Sequence, residues 1–121
     1  MLQHLNAIPS KPQRVIILGA GGFVGNATLQ NLKSKNIATL SITRQEVDLL
    51  KPHAQHALAE FIQPNDALVI ISAVAPCKNY DQLIINLQMM QAVCNTVKDK
   101  ANLLSHIIYI SSDAVYADDV A

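Results

Sequence analysis

Apolar and polar positions along the chain fall into short blocks whose period alternates between that of strands and that of helices. Residues 14–18, Arg-Val-Ile-Ile-Leu, form a β-branched apolar run closed by glycine, which predicts a buried strand. Residues 23–35 place apolar side chains at 24, 27, 29 and 32 and run into Lys33-Ser-Lys-Asn36, a helix with a stop signal. Residues 37–43 alternate and suit a second strand. Pro52 fits the first turn of a helix reaching about Ile62, and Pro64-Asn65-Asp66 reads as a turn. Residues 67–71, Ala-Leu-Val-Ile-Ile, are apolar throughout and predict a third strand. A strand apolar on both faces belongs in the middle of a helix-covered parallel sheet. Residues 80–98 carry the longest helical pattern, with Leu83, Leu87, Met90, Cys94 and Val97 on one apolar stripe. Residues 105–111 give a fourth strand.

The order β-α-β-α-β-α-β predicts an α/β fold, a Rossmann-type doubly wound parallel sheet in three α/β/α layers. The expected strand order is 3-2-1-4, with a ligand crevice between the first and fourth strands, where the winding reverses. Residues 1–13, with Pro9 and Pro12, read as an N-terminal tail. Residues 14–121 read as the front part of a dinucleotide-binding domain. Ten residues follow the fourth strand, and a sheet stopping there would bear a long apolar edge. The fold is therefore expected to be incomplete at its C-terminus.

Composition narrows the classes. Half of the residues are hydrophobic and 15% are charged, enough apolar surface for a packed core. Nine basic residues balance nine acidic ones, which gives no electrostatic reason to seek nucleic acid or an anionic membrane. No apolar run is long enough to cross a bilayer, and no secretory h-region is present. Cys77 and Cys94 have neither metal nor redox spacing and read as reduced, partly buried thiols of a cytoplasmic protein. His53 and His56 lie three apart on a predicted helix without a third ligand nearby, so they read as a solvated face and no metal is expected.

The chemistry concentrates in Gly19-Ala-Gly-Gly-Phe-Val-Gly25, which holds all four glycines of the chain between the first strand and the first helix. A strand-to-helix turn that cradles a pyrophosphate must bring backbone N–H groups close to it, and side chains would block that approach. The helix start adds its positive dipole end. Gly19 is expected to make the tight turn, Gly21 and Gly22 to leave room for phosphates, and Gly25 to let the helix lie against the strand. The dehydrogenase form Gly-x-Gly-x-x-Gly would need glycine at Val24. The spacing that fits is Gly-x-x-Gly-x-x-Gly, through Gly19, Gly22 and Gly25.

With these segments the chain resembles the extended short-chain dehydrogenases/reductases, nucleotide-sugar epimerases, dehydratases and reductases among them. The resemblance rests on Leu18-Gly-Ala-Gly-Gly-Phe-Val-Gly25, Asp66-Ala-Leu-Val-Ile-Ile-Ser-Ala73, Asn86 within Leu83-Ile-Ile-Asn-Leu-Gln88, and Ile110-Ser-Ser-Asp-Ala-Val-Tyr116. It implies a catalytic Ser112 that hydrogen-bonds the reacting substrate oxygen. It implies a cofactor site of Gly19, Gly21, Gly22, Phe23, Val24, Gly25, Arg44, Asp48, Leu49, Ser72, Ala73, Val74 and Ser111. Asn86 would brace the central helix, and Asp48 would sit near the adenine. The substrate would be a nucleotide sugar, and the 80–98 helix could add a homodimer contact. The family's Tyr-x-x-x-Lys pair is missing, because Tyr80, Tyr109 and Tyr116 are followed four residues on by Ile84, Asp113 and Val120. The chain alone is thus expected to bind cofactor and not to turn over substrate. An alternative reading is a non-catalytic nucleotide-sensing or scaffold protein on the same fold.

The cofactor expectation is NADP or NAD, with NADP favoured. NAD-specific sites usually carry a carboxylate at the end of the second strand. Here that strand ends Ser41-Ile-Thr-Arg44, and an arginine can pair with a 2′-phosphate. The run 43–49, Thr-Arg-Gln-Glu-Val-Asp-Leu, is similar to the corresponding stretch of GDP-fucose synthase relatives, which use NADPH.

Overall fold

The computed structural model describes residues 8–111. Strands β1 (Arg14–Leu18), β2 (Thr39–Ile42), β3 (Asp66–Ile70) and β4 (Leu104–Tyr109) alternate with helices α1 (Phe23–Ser34), α2 (Ala54–Phe61) and α3 (Tyr80–Lys100). All strand pairs are parallel, in the order β2-β1-β3-β4. Helix α1 covers one face, where Leu29 and Leu32 pack on Val15, Ile17, Ala67 and Val69. Helices α2 and α3 cover the other, where Leu58 and Val93 pack on Ile16, Leu18, Ile42, Leu68 and Ile70. The fold class is therefore the expected doubly wound α/β/α sheet.

The strand order corrects the expected 3-2-1-4. Every residue of β3 is buried, so it needs cover on both faces, and an edge position cannot supply that. It lies between β1 and β4, and the winding reverses between β1 and β3. The crevice accordingly opens between the ends of β1 and β3, not between the first and fourth strands. Strand β4 is an edge strand whose Ile107, Ile108 and Tyr109 are exposed.

Local chemistry sets the element ends. Helix α1 stops in a Schellman arrangement: Asn36, at φ 57°, donates its N–H to the Lys33 carbonyl, and Ile37 donates to that of Leu32. Helix α2 begins at Ala54, so Pro52 lies in the preceding turn rather than in the helix. Its first backbone bonds run from Ala54 to Lys51 and from Ala57 to His53. Helix α3 is capped by Asn79, whose Oδ1 accepts from the Gln82 N–H, while the Gln82 side chain accepts from the Lys78 N–H.

Two further expectations change. The buried line of α3 is Asn86, Met89, Val93 and Thr96, the last donating to the Gln55 carbonyl of α2, and of the expected stripe Leu83, Leu87 and Cys94 are exposed. That line has the same three-and-four spacing as the expected stripe but is offset by one residue, about 100° around the helix, so of the stripe Met90 and Val97 keep partial burial against the core. Cys94 is on that outward side and Cys77 is in the loop before α3, so both thiols are free and exposed rather than partly buried.

The N-terminal end of the sheet is locked by one ion pair. Asp66 is 2% exposed; its Oδ1 accepts from Arg14 Nε at 3.0 Å and its Oδ2 from Arg14 Nη2 at 2.7 Å. The Gln63 N–H also donates to Asp66, and Arg14 Nη2 donates to the Phe61 carbonyl. One two-residue cluster thus ties β1, β3 and the end of α2. Removing the cation leaves a buried carboxylate unpaired, so Arg14→Ala is expected to lower the unfolding free energy by about 3 kcal/mol. Urea unfolding would show it as a lower midpoint with an unchanged slope.

Candidate dinucleotide-binding site

The turn after β1 is shaped by contacts that forbid side chains at two of its glycines. Gly19 has φ +97°, and a Cβ there would lie 2.8 Å from the Ser72 nitrogen and 2.9 Å from its Oγ. At Gly25 a Cβ would lie 2.1 Å from the Gly19 carbonyl oxygen and 2.8 Å from the Ala20 Cα. Helix α1 can therefore start hard against the end of β1 only with glycine at both positions. Gly21 and Gly22 differ. A Cβ at Gly21 would meet nothing nearer than Thr43 Cγ2 at 3.7 Å, and one at Gly22 nothing nearer than the Gly19 oxygen at 3.9 Å. The protein itself does not need glycine there, and the space is left open beside the helix start. Gly22 is the N-cap of α1 and no side chain caps the helix, so the first-turn N–H groups face that space without a side-chain acceptor. Phe23 is 92% exposed and Val24 is also exposed.

The end of β3 forms the second wall. The Ile71 N–H donates to the Leu18 carbonyl, which carries the pairing of β1 and β3 right up to the glycine turn. Ser72 and Val74 are half-buried and Ala73 is exposed. Asn86 of α3 holds this segment with both ends of its amide: Oδ1 accepts from the Val74 N–H at 2.7 Å and Nδ2 donates to the Val74 carbonyl at 3.0 Å. An irregular strand exit has no ladder partner, and this side chain replaces one.

The end of β2 forms the third wall. The Gly19 N–H donates to the Ile42 carbonyl at 2.9 Å, which joins the glycine turn to the loop beginning at Thr43. In that loop the Glu46 carboxylate folds back on Thr43. Its Oε2 accepts from the Thr43 N–H at 2.7 Å and from the Thr43 hydroxyl. These bonds, the hydroxyl first, hold the Glu46 carboxyl below the usual carboxylate range. Asp48 accepts from the Leu50 N–H through Oδ1 and from Arg44 Nε through Oδ2 at 3.3 Å. The Leu50 N–H is the main cause of its lowered pKa; burial works against it, and Arg44 and Lys51 add to the lowering. The Arg44 side chain is 82% exposed.

The sequence-derived set thus divides. Gly19, Gly21, Gly22, Phe23, Val24, Gly25, Ser72, Ala73 and Val74 gather at the adjoining ends of β1 and β3, and Arg44 and Asp48 stand on the loop after β2. Leu49 is packed in the core with Ile42 and Val47, so its side chain is withdrawn from the candidate site. Ser111 is exposed just beyond β4. Ser112 and Tyr116 lie outside the described residues. Sequence reasoning passed over Thr43 and Glu46. The available signal was the Thr-x-x-Glu spacing of a capping box at the end of a strand.

The glycine geometry separates fold from site. Gly25→Ala forces backbone apart and is expected to lower the unfolding free energy by at least about 2 kcal/mol. Gly21→Ala should change it by less than about 0.5 kcal/mol; thermal unfolding compares the two. For Asn86→Ala, amide hydrogen exchange should show the Val74 N–H losing protection by at least about tenfold, because its acceptor is gone.

Comparison with known proteins places this geometry. The family model described as the RmlD substrate binding domain matches residues 13–120. A GDP-L-fucose synthetase from Naegleria fowleri, solved bound to NADP, aligns with a TM-score of 0.78 at 16% identity, over 100% of this chain and 38% of that one. A GDP-mannoheptose C4 reductase from Campylobacter jejuni with NADP bound aligns with a TM-score of 0.70 at 22% identity, over 93% and 37%. A GDP-D-glycero-L-gluco-heptose synthase from the same organism, solved in the presence of NADPH, aligns with a TM-score of 0.69 at 21% identity, over 94% and 34%. The chain spans little more than a third of the length of these structures, and at such identities the likeness speaks to the fold. No curated protein sequence matches the chain. The family match, covering nearly the whole chain, shows that the chain belongs to the RmlD substrate binding domain family.

Proposed function

We propose that this chain is the NADP(H)-binding portion of a nucleotide-sugar reductase, epimerase or dehydratase. The observation that carries the reading is the open space at Gly21 and Gly22, facing an uncapped helix start where the protein's own packing needs no glycine. Backbone N–H groups and the helix dipole there suit a pyrophosphate. Arg44 is exposed on the neighbouring loop, and its guanidinium suits a 2′-phosphate. The segment Ser72-Ala73-Val74, held by Asn86, would run beside the nicotinamide ribose. The nicotinamide ring supplies or takes the hydride when bound. Ser112 would donate to the sugar oxygen whose carbon is oxidised or reduced, stabilising developing alkoxide charge. The proton would pass through a Tyr-x-x-x-Lys pair, which these 121 residues do not contain, so the chain alone binds without turnover. Three aligned structures whose names give GDP-sugar enzymes with NADP or NADPH support the cofactor and the substrate class. Tyr80, Leu83 and Leu87, exposed on α3, would carry a homodimer contact. Among the described residues no helix is long and apolar enough to cross a membrane. The exposed free thiols of Cys77 and Cys94 accord with a cytoplasmic setting.

Isothermal titration tests the reading. NADPH should bind more tightly than NADH, and Arg44→Ala should weaken NADPH about tenfold while leaving NADH unchanged. Gly21→Ala should weaken both by at least about tenfold. Tighter binding of NADH, unaffected by Arg44→Ala, would overturn the NADP assignment.

A further inference from the structure

The loop after β2 contains a carboxylate in a place where the linear sequence shows none. In dinucleotide-binding domains the residue at the end of the second strand, about 20 positions beyond the glycine motif, selects between a ribose 2′-hydroxyl and a 2′-phosphate. An acidic side chain there accepts from the hydroxyl and repels the phosphate. Position 43 is threonine and position 44 arginine, which suggests a phosphate site. The fold alters that picture. The backbone turns after Ile42, with the Glu46 and Val47 N–H groups both donating to the Thr43 carbonyl. That turn returns the Glu46 carboxylate to the strand end, where it takes both the N–H and the hydroxyl of Thr43. Thr43 borders the glycine turn, because its Cγ2 is the nearest atom to a Cβ built on Gly21. The two donors that an incoming 2′-phosphate would find at the strand end therefore already hold an anion. Arg44, the cation next to Thr43, is likewise engaged through Nε by Asp48.

We infer that Glu46 is a specificity-determining residue of the adenosine subsite: it stands in for the missing strand-end carboxylate and limits the preference for a 2′-phosphate. The inference rests on the dinucleotide reading above. A chain with Arg44 and Glu46 side by side would accept both forms of the cofactor, with Arg44 favouring the phosphate and Glu46 opposing it. Glu46 would also be open to the ribose 2′-hydroxyl when no phosphate is present.

A plain capping role can be told apart from this one, because glutamine serves at the same capping position as glutamate. Glu46→Gln keeps a side-chain oxygen for the Thr43 N–H and removes only the charge. The probes are adenosine 2′,5′-bisphosphate and adenosine 5′-monophosphate, titrated into the 121-residue chain by calorimetry at low salt. Glu46→Gln should tighten the bisphosphate about fivefold, an effect that shrinks as salt is raised, while the monophosphate stays unchanged or weakens. Equal or weaker bisphosphate binding by the variant would overturn the inference and leave Glu46 a cap. Equal tightening of both nucleotides would overturn it as well, since the effect would not depend on the 2′ group. Failure of both nucleotides to bind either protein would instead sink the dinucleotide reading, and this inference with it.

Discussion

Helix α1 begins within contact distance of the strand that precedes it, and the rest of the site depends on that contact. The Gly19 carbonyl, the Gly25 Cα and the Ser72 backbone converge so closely that no side chain fits at either glycine. The approach sets where the helix axis points, and hence where its N-terminal dipole and first-turn N–H groups face. It also fixes the distance between the ends of β1 and β3. A looser junction would still make a Rossmann-like sheet, but the helix start would not face the space beside Gly21 and Gly22.

That junction is held from both ends of the sheet. At the opposite end Arg14 and Asp66 pin β1 to β3, and the Phe61 carbonyl and Gln63 N–H bring the exit of α2 into the same cluster. The strands between are apolar on both faces and closely covered, so the β1–β3 register cannot slip without breaking the ion pair or exposing Leu68. At the site end the Ile71 and Gly19 N–H groups continue the ladder past the last strand residues. Asn86 then takes over where regular pairing stops. Rigidity at the sheet passes in this way to a segment that has no secondary structure of its own.

The loop after β2 follows a different logic. Its groups are exposed and its bonds are local, so its geometry comes from capping chemistry and not from the core. Only Val47 and Leu49 anchor it, turning inward between the polar positions. Charges placed this way are cheap to hold and easy to rearrange around a ligand. Selectivity for the adenosine end would thus be set by side chains that contribute little to the fold, while the proposed phosphate cradle would be set by the backbone at Gly21 and Gly22.

Much of this was legible in the chain itself. The run of Val15, Ile16 and Ile17, the glycine spacing and the apolar block 67–71 each determined an element, because period and backbone freedom act locally. The glycine motif alone marked the candidate site. Tertiary structure decided the rest. The strand order followed from which strand needed cover on both faces, and that is a comparison among strands that no single segment contains. The buried line of α3 and the exposure of Cys77 and Cys94 depended on how the helix was rotated against its neighbours. Glu46 reached the strand end only because the turn after Ile42 brought it back, so its position near Thr43 exists in space and not in the order of residues.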